Sequence, residues 1–202
     1  MIDLTVAIVA GGQSSRMGTD KAFVQLGGRP LIAHLLERVA DLGQAETILI
    51  TNHPARYAHL GLPMFGDVLP GKGSLGGIYT ALHVSRSPYV LALACDMPFV
   101  SPDVLRHLIG LAEGDAFDVI VPTVADYPQG LHAIYGRACL DPIRARLDAD
   151  RLKVIGFYDD VRVRRVDEAE YGPIDPEGRS FFNVNTPEDL EQARQWAEAG
   201  RA

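Results

Sequence analysis

Cysteine is scarce: the chain has Cys95 and Cys139 and no others in 202 residues. Two such thiols make neither a disulfide framework nor a metal knuckle, and they read as small buried residues of a reducing compartment. Positive charge is also short, with 19 Lys and Arg against 26 Asp and Glu and a net charge of -7. A duplex-binding face needs a concentrated excess of bases, so nucleic acid is not expected as a partner. Apolar runs such as Val6–Ala10 and Tyr89–Cys95 fall far below the ~20 residues that span a bilayer, so no membrane contact is expected. The opening Met-Ile-Asp-Leu-Thr has an acid where a signal peptide wants positive charge, and a cytoplasmic location is expected. None of the six histidines falls in a His-x-Glu or paired helical spacing, which argues against zinc. No Ser-His-Asp or Cys-His arrangement for nucleophilic catalysis stands out either.

What is present is ordinary globular material, 47% hydrophobic and 22% charged, with no collagen or coiled-coil period. Short β-branched runs alternate with amphipathic stretches. Strands are expected at Thr5–Val9, Thr47–Thr51, Tyr89–Ala94, Asp118–Val121 and Leu131–Tyr135, and a half-exposed edge strand at Val161–Arg164. Helical stripes run through Leu31–Leu42, with Pro30 in the first turn, and through Leu75–Leu82. Others follow Ser101-Pro-Asp, occupy Cys139–Leu147, and open at the capped Thr186-Pro-Glu-Asp. Strand–helix alternation of this kind predicts an α/β, three-layer Rossmann-like fold with a mostly parallel central sheet. No Gly/Ser or Pro-rich linker divides the chain, so residues 1–202 are expected to form a single domain.

In such sheets ligands sit beyond the carboxyl ends of the strands, which singles out four loops. The first runs from Val9 and Ala10 through Gly11 and Gly12 to Arg16 and Lys21. Its glycines let the backbone approach a ligand closely, and its two bases suit phosphates. A second, Gly71-Lys-Gly-Ser-Leu-Gly-Gly77, formally matches G-x-G-x-x-G, with Asp96 twenty residues after Gly76. Gly66–Lys72 matches most of a P-loop, with Gly73 where a hydroxyl should hold magnesium. Pro63, Gly66 and Pro70 break the segment before both motifs, which argues against either. Asp96, ending the Tyr89–Ala94 strand ahead of Pro98, projects a carboxylate into the same crevice and suits Mg2+ shared with substrate phosphates. Two amides, Asn183 and Asn185, precede the last helix and point to one side of a short strand, or else form a strand-to-helix turn.

The opening Ala10-Gly-Gly12, then Ser14-x-Arg16-Met17-Gly18 and Asp20-Lys21, resembles the signature of the molybdenum cofactor guanylyltransferases. The likeness continues at Asn52, Asp67, Cys95-Asp-Met-Pro98 and Phe182-Asn-Val-Asn-Thr-Pro-Glu-Asp-Leu190. The resemblance implies a nucleotidyltransferase domain that transfers GMP from GTP to the phosphate of a molybdopterin-type cofactor, releasing pyrophosphate. It implies Asp96, Lys21 and Arg16 as catalytic groups and Asp96 as the Mg2+ ligand. It also implies a nucleotide site at Val9, Ala10, Gly11, Gly12, Lys21, Asn52, Asp67 and Asp96. Asn183 and Asn185 would meet the acceptor or a phosphate, and transient contact with molybdoenzymes or cofactor-synthesis proteins would follow. The chain departs from the family at Gly73-Ser-Leu-Gly-Gly77, where Gly-Pro-Leu-Ala-Gly is usual.

The alternatives are a cytidylyl or other nucleotidyl transferase acting on a pterin or another small phosphorylated acceptor, a non-catalytic nucleotide-binding regulator, and a dehydrogenase built on Gly71–Gly76. His132 is either an acceptor-pocket residue or a polar side chain packed at a strand end. Eight of the 19 bases fall between Arg137 and Arg165, as an anion-facing stripe or a solvated face.

Overall fold

The computed structural model describes residues 2–10, 20–114 and 116–199. In chain order the elements are β1 (Leu4–Val9), β2 (Gln25–Leu26), β3 (Arg29–Pro30), α1 (Leu31–Val39), β4 (Glu46–Ile50), α2 (Pro54–Tyr57), β5 (Met64–Phe65) and α3 (Gly73–Val84). They continue with β6 (Tyr89–Ala94), α4 (Pro102–Ala112), β7 (Val119–Val124), β8 (Tyr127–Pro128), β9 (His132–Gly136), α5 (Leu140–Asp148), β10 (Val163–Val166), α6 (Glu168–Tyr171) and α7 (Pro187–Ala199). One sheet runs β10-β7-β9-β6-β1-β4-β5, with β8 hairpinned onto β7. β1 lies parallel between β4 and β6, with Ile8 level with Leu49 on one side and Leu93 on the other. β9 is antiparallel to both its neighbours, β6 and β7. The fold is the expected α/β architecture with a mostly parallel central sheet.

Every residue of β1 is buried, because both faces of the sheet are covered. Val6, Ile8, Leu91 and Leu93 pack with Ile32 and Leu35 of α1 and with Val104, Leu105 and Leu108 of α4. Ala7, Ile48, Val90 and Ala92 pack on the other face with Leu75, Ile78 and Leu82 of α3 and with Ile143 and Leu147 of α5. The period-two split of each strand between two helix layers is what makes these runs continuously apolar. No helix among the described residues is long and apolar enough to cross a membrane.

Some boundaries shift. The edge strand pairs at Val163–Val166 rather than Val161–Arg164: the Arg162 N–H and guanidinium are taken by the Asp118 carboxylate, while its carbonyl accepts from the Asp118 and Val119 amides. Pro30 precedes α1 as its cap residue instead of sitting in its first turn. The Asn183–Asn185 segment forms no strand. α3 begins at Gly73, and a Cβ on Gly77 would stand 2.7 Å from Val9 Cγ1. That glycine lets the helix press directly against the carboxyl end of β1.

Candidate active site

Lys21, Asp96 and Asn185 meet at the carboxyl end of the sheet. Asp96 follows β6, and its carbonyl accepts from Val184 N at 3.0 Å, which ties the closing segment onto the end of that strand. The closing segment is itself locked by a capping box. Thr186 Oγ1 accepts from Asp189 N at 3.1 Å, and Asp189 Oδ2 accepts from the Asn185 and Thr186 amides at 2.9 and 2.8 Å. The Asn185 backbone is thus fixed, and its side-chain oxygen accepts from Lys21 Nζ. Lys21 Nζ also stands 3.5 Å from Asp96 Oδ2.

Asp96 sits deep in the crevice. Its side chain is 13% exposed, and Oδ1 is buried with no hydrogen-bond partner among the described residues. Burial holds the carboxyl above its ordinary range, and the Lys21 ammonium opposes that rise. The neighbouring Cys95 thiol is pushed up by burial and by the Asp96 charge, which leaves it a poor nucleophile.

The other candidate residues are placed as follows. Gly11, Gly12 and Arg16 lie outside the described residues. Val9 packs its side chain against α3, and Ala10 N donates to Ile50 O at 2.9 Å. Asn52 and Asp67, after β4 and β5, form a reciprocal pair: Asn52 Nδ2 donates to Asp67 Oδ2 at 2.7 Å, and Asp67 N donates to Asn52 Oδ1 at 2.9 Å. Asn183 stays local, donating to Phe181 O, so the two asparagine side chains do not converge. His132 is fully buried against Phe181, with both ring nitrogens unpartnered among the described residues. It opens β9, as the strand-end reading has it. Arg144, Arg162 and Arg164 pair with Asp148, Asp118 and Glu170 of the chain itself, the pattern of a solvated structural surface.

The glycine-rich second loop lacks the geometry of a dinucleotide fingerprint. β5 is a two-residue edge strand, and Gly66–Pro70 separate it from Gly71. Sequence reading missed Asp20 and Tyr57 as parts of the site. The Tyr57 hydroxyl donates to Asp20 Oδ2 at 2.7 Å. The only trace of this in the sequence is an acid directly before Lys21.

A mostly parallel sheet, a lysine after its leading strand, and a carboxylate at the end of the adjacent strand form a nucleotide-transfer arrangement, and the comparison with known sequences agrees. The MobA-like NTP transferase domain matches residues 6–162. The chain belongs to the MobA-like NTP transferase family. A protein of Pelotomaculum thermopropionicum described as a probable molybdenum cofactor guanylyltransferase is 37% identical, over 100% of this chain and 97% of its own length. The molybdenum cofactor guanylyltransferase of Desulfosudis oleivorans is 35% identical over 98% of each chain. The crystal structure of molybdopterin-guanine dinucleotide biosynthesis protein A from Archaeoglobus fulgidus superposes with a TM-score of 0.84, at 30% identity, over 96% of this chain and 99% of that one. This MobA-like protein is therefore a nucleotidyltransferase.

Proposed function

We propose that the chain, acting as one domain, transfers GMP from GTP to the phosphate of a molybdopterin-type cofactor and releases pyrophosphate. The observation that carries this reading is the Lys21–Asp96–Asn185 junction, with a buried, unpartnered carboxylate oxygen on Asp96. The names of the relatives supply the base and the acceptor.

The chain's own groups have separable tasks. Lys21 places an ammonium against the triphosphate and balances charge on the departing pyrophosphate, and Arg16 adds a second cation from the first loop. Gly11 and Gly12 let backbone amides approach the phosphates, next to Val9 and Ala10. The Asn52–Asp67 pair presents amide and carboxylate groups for base and sugar. Asn185 holds the Lys21 ammonium in place, and Asn183, two residues away, would meet the acceptor or a phosphate. The acceptor phosphate oxygen attacks the α-phosphorus while the bond to the β-phosphate bridge breaks. A phosphate monoester is already anionic near neutral pH, so no general base is needed, and catalysis is positioning plus charge stabilisation.

The unpartnered Asp96 oxygen, an oxygen donor held in a half-dry site, fits Mg2+. Bound there, Mg2+ would supply Lewis-acid stabilisation of phosphate charge. Among the described residues no cluster of three or more His, Cys, Asp or Glu forms a closed ion cage. An ion at Asp96 would draw its other ligands from phosphates and water. The product is a cofactor that must reach its enzymes, and transient contact with molybdoenzymes or cofactor-synthesis proteins follows from that.

Pyrophosphate release, measured with GTP or CTP and molybdopterin in the presence of Mg2+, tests the reading. GTP is expected to support turnover. Turnover with CTP alone would reassign the base, and nucleotide binding without turnover would make the chain a regulator. NAD is not expected to bind at millimolar concentration, a limit on the order of 4 kcal/mol.

A further inference from the structure

Lys21 is carried on a single 3-10 turn, Lys21–Phe23. A turn that short has too few internal hydrogen bonds to hold itself in place. Its position is set from outside, at both ends. Asp20 caps it, with Oδ1 accepting from Ala22 N at 3.3 Å and Oδ2 accepting from the Tyr57 hydroxyl at 2.7 Å. At the other end the Phe23 ring packs on the Tyr57 ring, with centroids 4.9 Å apart. One side chain therefore grips the residues on either side of Lys21.

Tyr57 is suited to that task. It ends α2, the short helix after β4, and is 1% exposed. Burial, and then the bond to Asp20, push its phenol far above the ordinary range, so it stays protonated and donates. Arg56 also approaches Asp20 Oδ2, at 3.7 Å, but it is 59% exposed and too well solvated to fix the carboxylate alone. Without the hydroxyl, Asp20 would lose its one buried side-chain donor among the described residues and keep only the Ala22 amide and the solvated Arg56. A carboxylate free to turn would no longer hold the Ala22 amide, and the short turn that carries Lys21 would lose its cap.

We propose that Tyr57 is a positioning residue for Lys21, acting through Asp20 to aim the ammonium at Asp96 and Asn185. The inference rests on the reading of Lys21 as the group that meets the triphosphate.

Tyr57→Phe tests it, since the ring stays on Phe23 and only the hydroxyl is lost. The first measurement is the NMR signal of the Lys21 ammonium, assigned through Lys21→Arg. Its protons should exchange with water about 10-fold faster in Tyr57→Phe, as expected for one weakened hydrogen-bonded anchor. The second is a double-mutant cycle on pyrophosphate release. Tyr57→Phe should lower kcat about 10-fold in the wild-type background and have no further effect on Lys21→Ala. Asp20→Asn, which keeps the cap's shape and weakens the acceptor, should reproduce both results if Tyr57→Phe folds poorly. An unchanged Lys21 ammonium, or equal losses in both backgrounds, would overturn the proposal. A displaced ammonium combined with wild-type turnover in Lys21→Ala would instead overturn the role given to Lys21 and leave the positioning by Tyr57 standing.

Discussion

Asp96 shares one carboxylate oxygen with Lys21 at 3.5 Å and buries the other with no hydrogen-bond partner among the described residues. Such an oxygen costs desolvation energy that its surroundings do not return. The folded carboxyl titrates above its ordinary value, so the native state holds a proton more readily than the unfolded chain does. Stability from this group is then fully present below the unfolded value and is lost as pH rises through the higher folded value. A residue that works against folding at the mouth of a strand is a candidate for function.

The Asp96→Asn variant separates these two effects. It keeps the shape, removes the charge, and should lower turnover about 100-fold or more if that charge holds a cation as proposed. Its stability to urea at pH 7.5 should equal or exceed that of the wild type, because a neutral amide carries no charge to desolvate. Wild-type turnover would remove Asp96 from the site. A clear drop in urea midpoint would contradict the buried-charge argument.

Lys21→Ala should weaken binding of a nucleoside triphosphate far more than binding of the bare nucleoside. The lost contact is charge-assisted and is worth about 1.5–3 kcal/mol. The same change removes the ammonium that opposes the rise of the Asp96 carboxyl, so that carboxyl should titrate higher still. Calorimetry with both ligands checks the ratio, and an unchanged ratio would return Lys21 to the solvated surface.

The sheet was legible because its central strands are continuous apolar runs between helical stripes. Thr5–Val9 and Tyr89–Ala94 can only be buried on both faces, and β1 and β6 are. The two-residue strands β2, β3, β5 and β8 carry no period and were not legible. In the site, Asp96 and Lys21 could be found because a carboxylate and an ammonium at strand ends announce charge chemistry. The pairing of Lys21 with Asn185, 164 positions apart, is set by the Thr186–Asp189 capping box and the Val184–Asp96 bond, which only the folded chain brings together. Tyr57 was invisible for a similar reason. Its meaning lies in a carboxylate 37 residues away, not in its own neighbours.

Gly77 makes a sharper test of packing than the loop glycines before it. Gly77→Ala would put a Cβ 2.7 Å from Val9 Cγ1, and Val9 is a stiff β-branched residue in a strand buried along its whole length. The clash should destabilise the fold by about 1–3 kcal/mol. Gly73→Ala meets open space but must hold φ at +59°, and should cost about 1 kcal/mol. Urea midpoints of the two variants should fall in that order. The reverse order would mean that α3 sits less tightly on β1 than the geometry states.

His132 should make the wild type sensitive to acid. Burial lowers its imidazole from the ordinary 6.5 to about 3, and both ring nitrogens lack partners among the described residues. Between those two values the unfolded chain binds a proton that the native state refuses, so stability falls as pH drops below 6.5 and flattens near 3. At pH 5 the penalty is on the order of 2 kcal/mol, taking 1.36 kcal/mol for each pH unit below the unfolded value. His132→Leu removes the titrating group and fills the space against Phe181 with apolar atoms, leaving no nitrogen unsatisfied. Thermal unfolding at pH 7.5 should place the variant level with or above the wild type, and at pH 5 the gap should widen in the variant's favour. Parallel loss of stability in both proteins from pH 7.5 to pH 5 would show that His132 finds a proton-accepting environment in the fold, and the buried neutral imidazole would have to be abandoned.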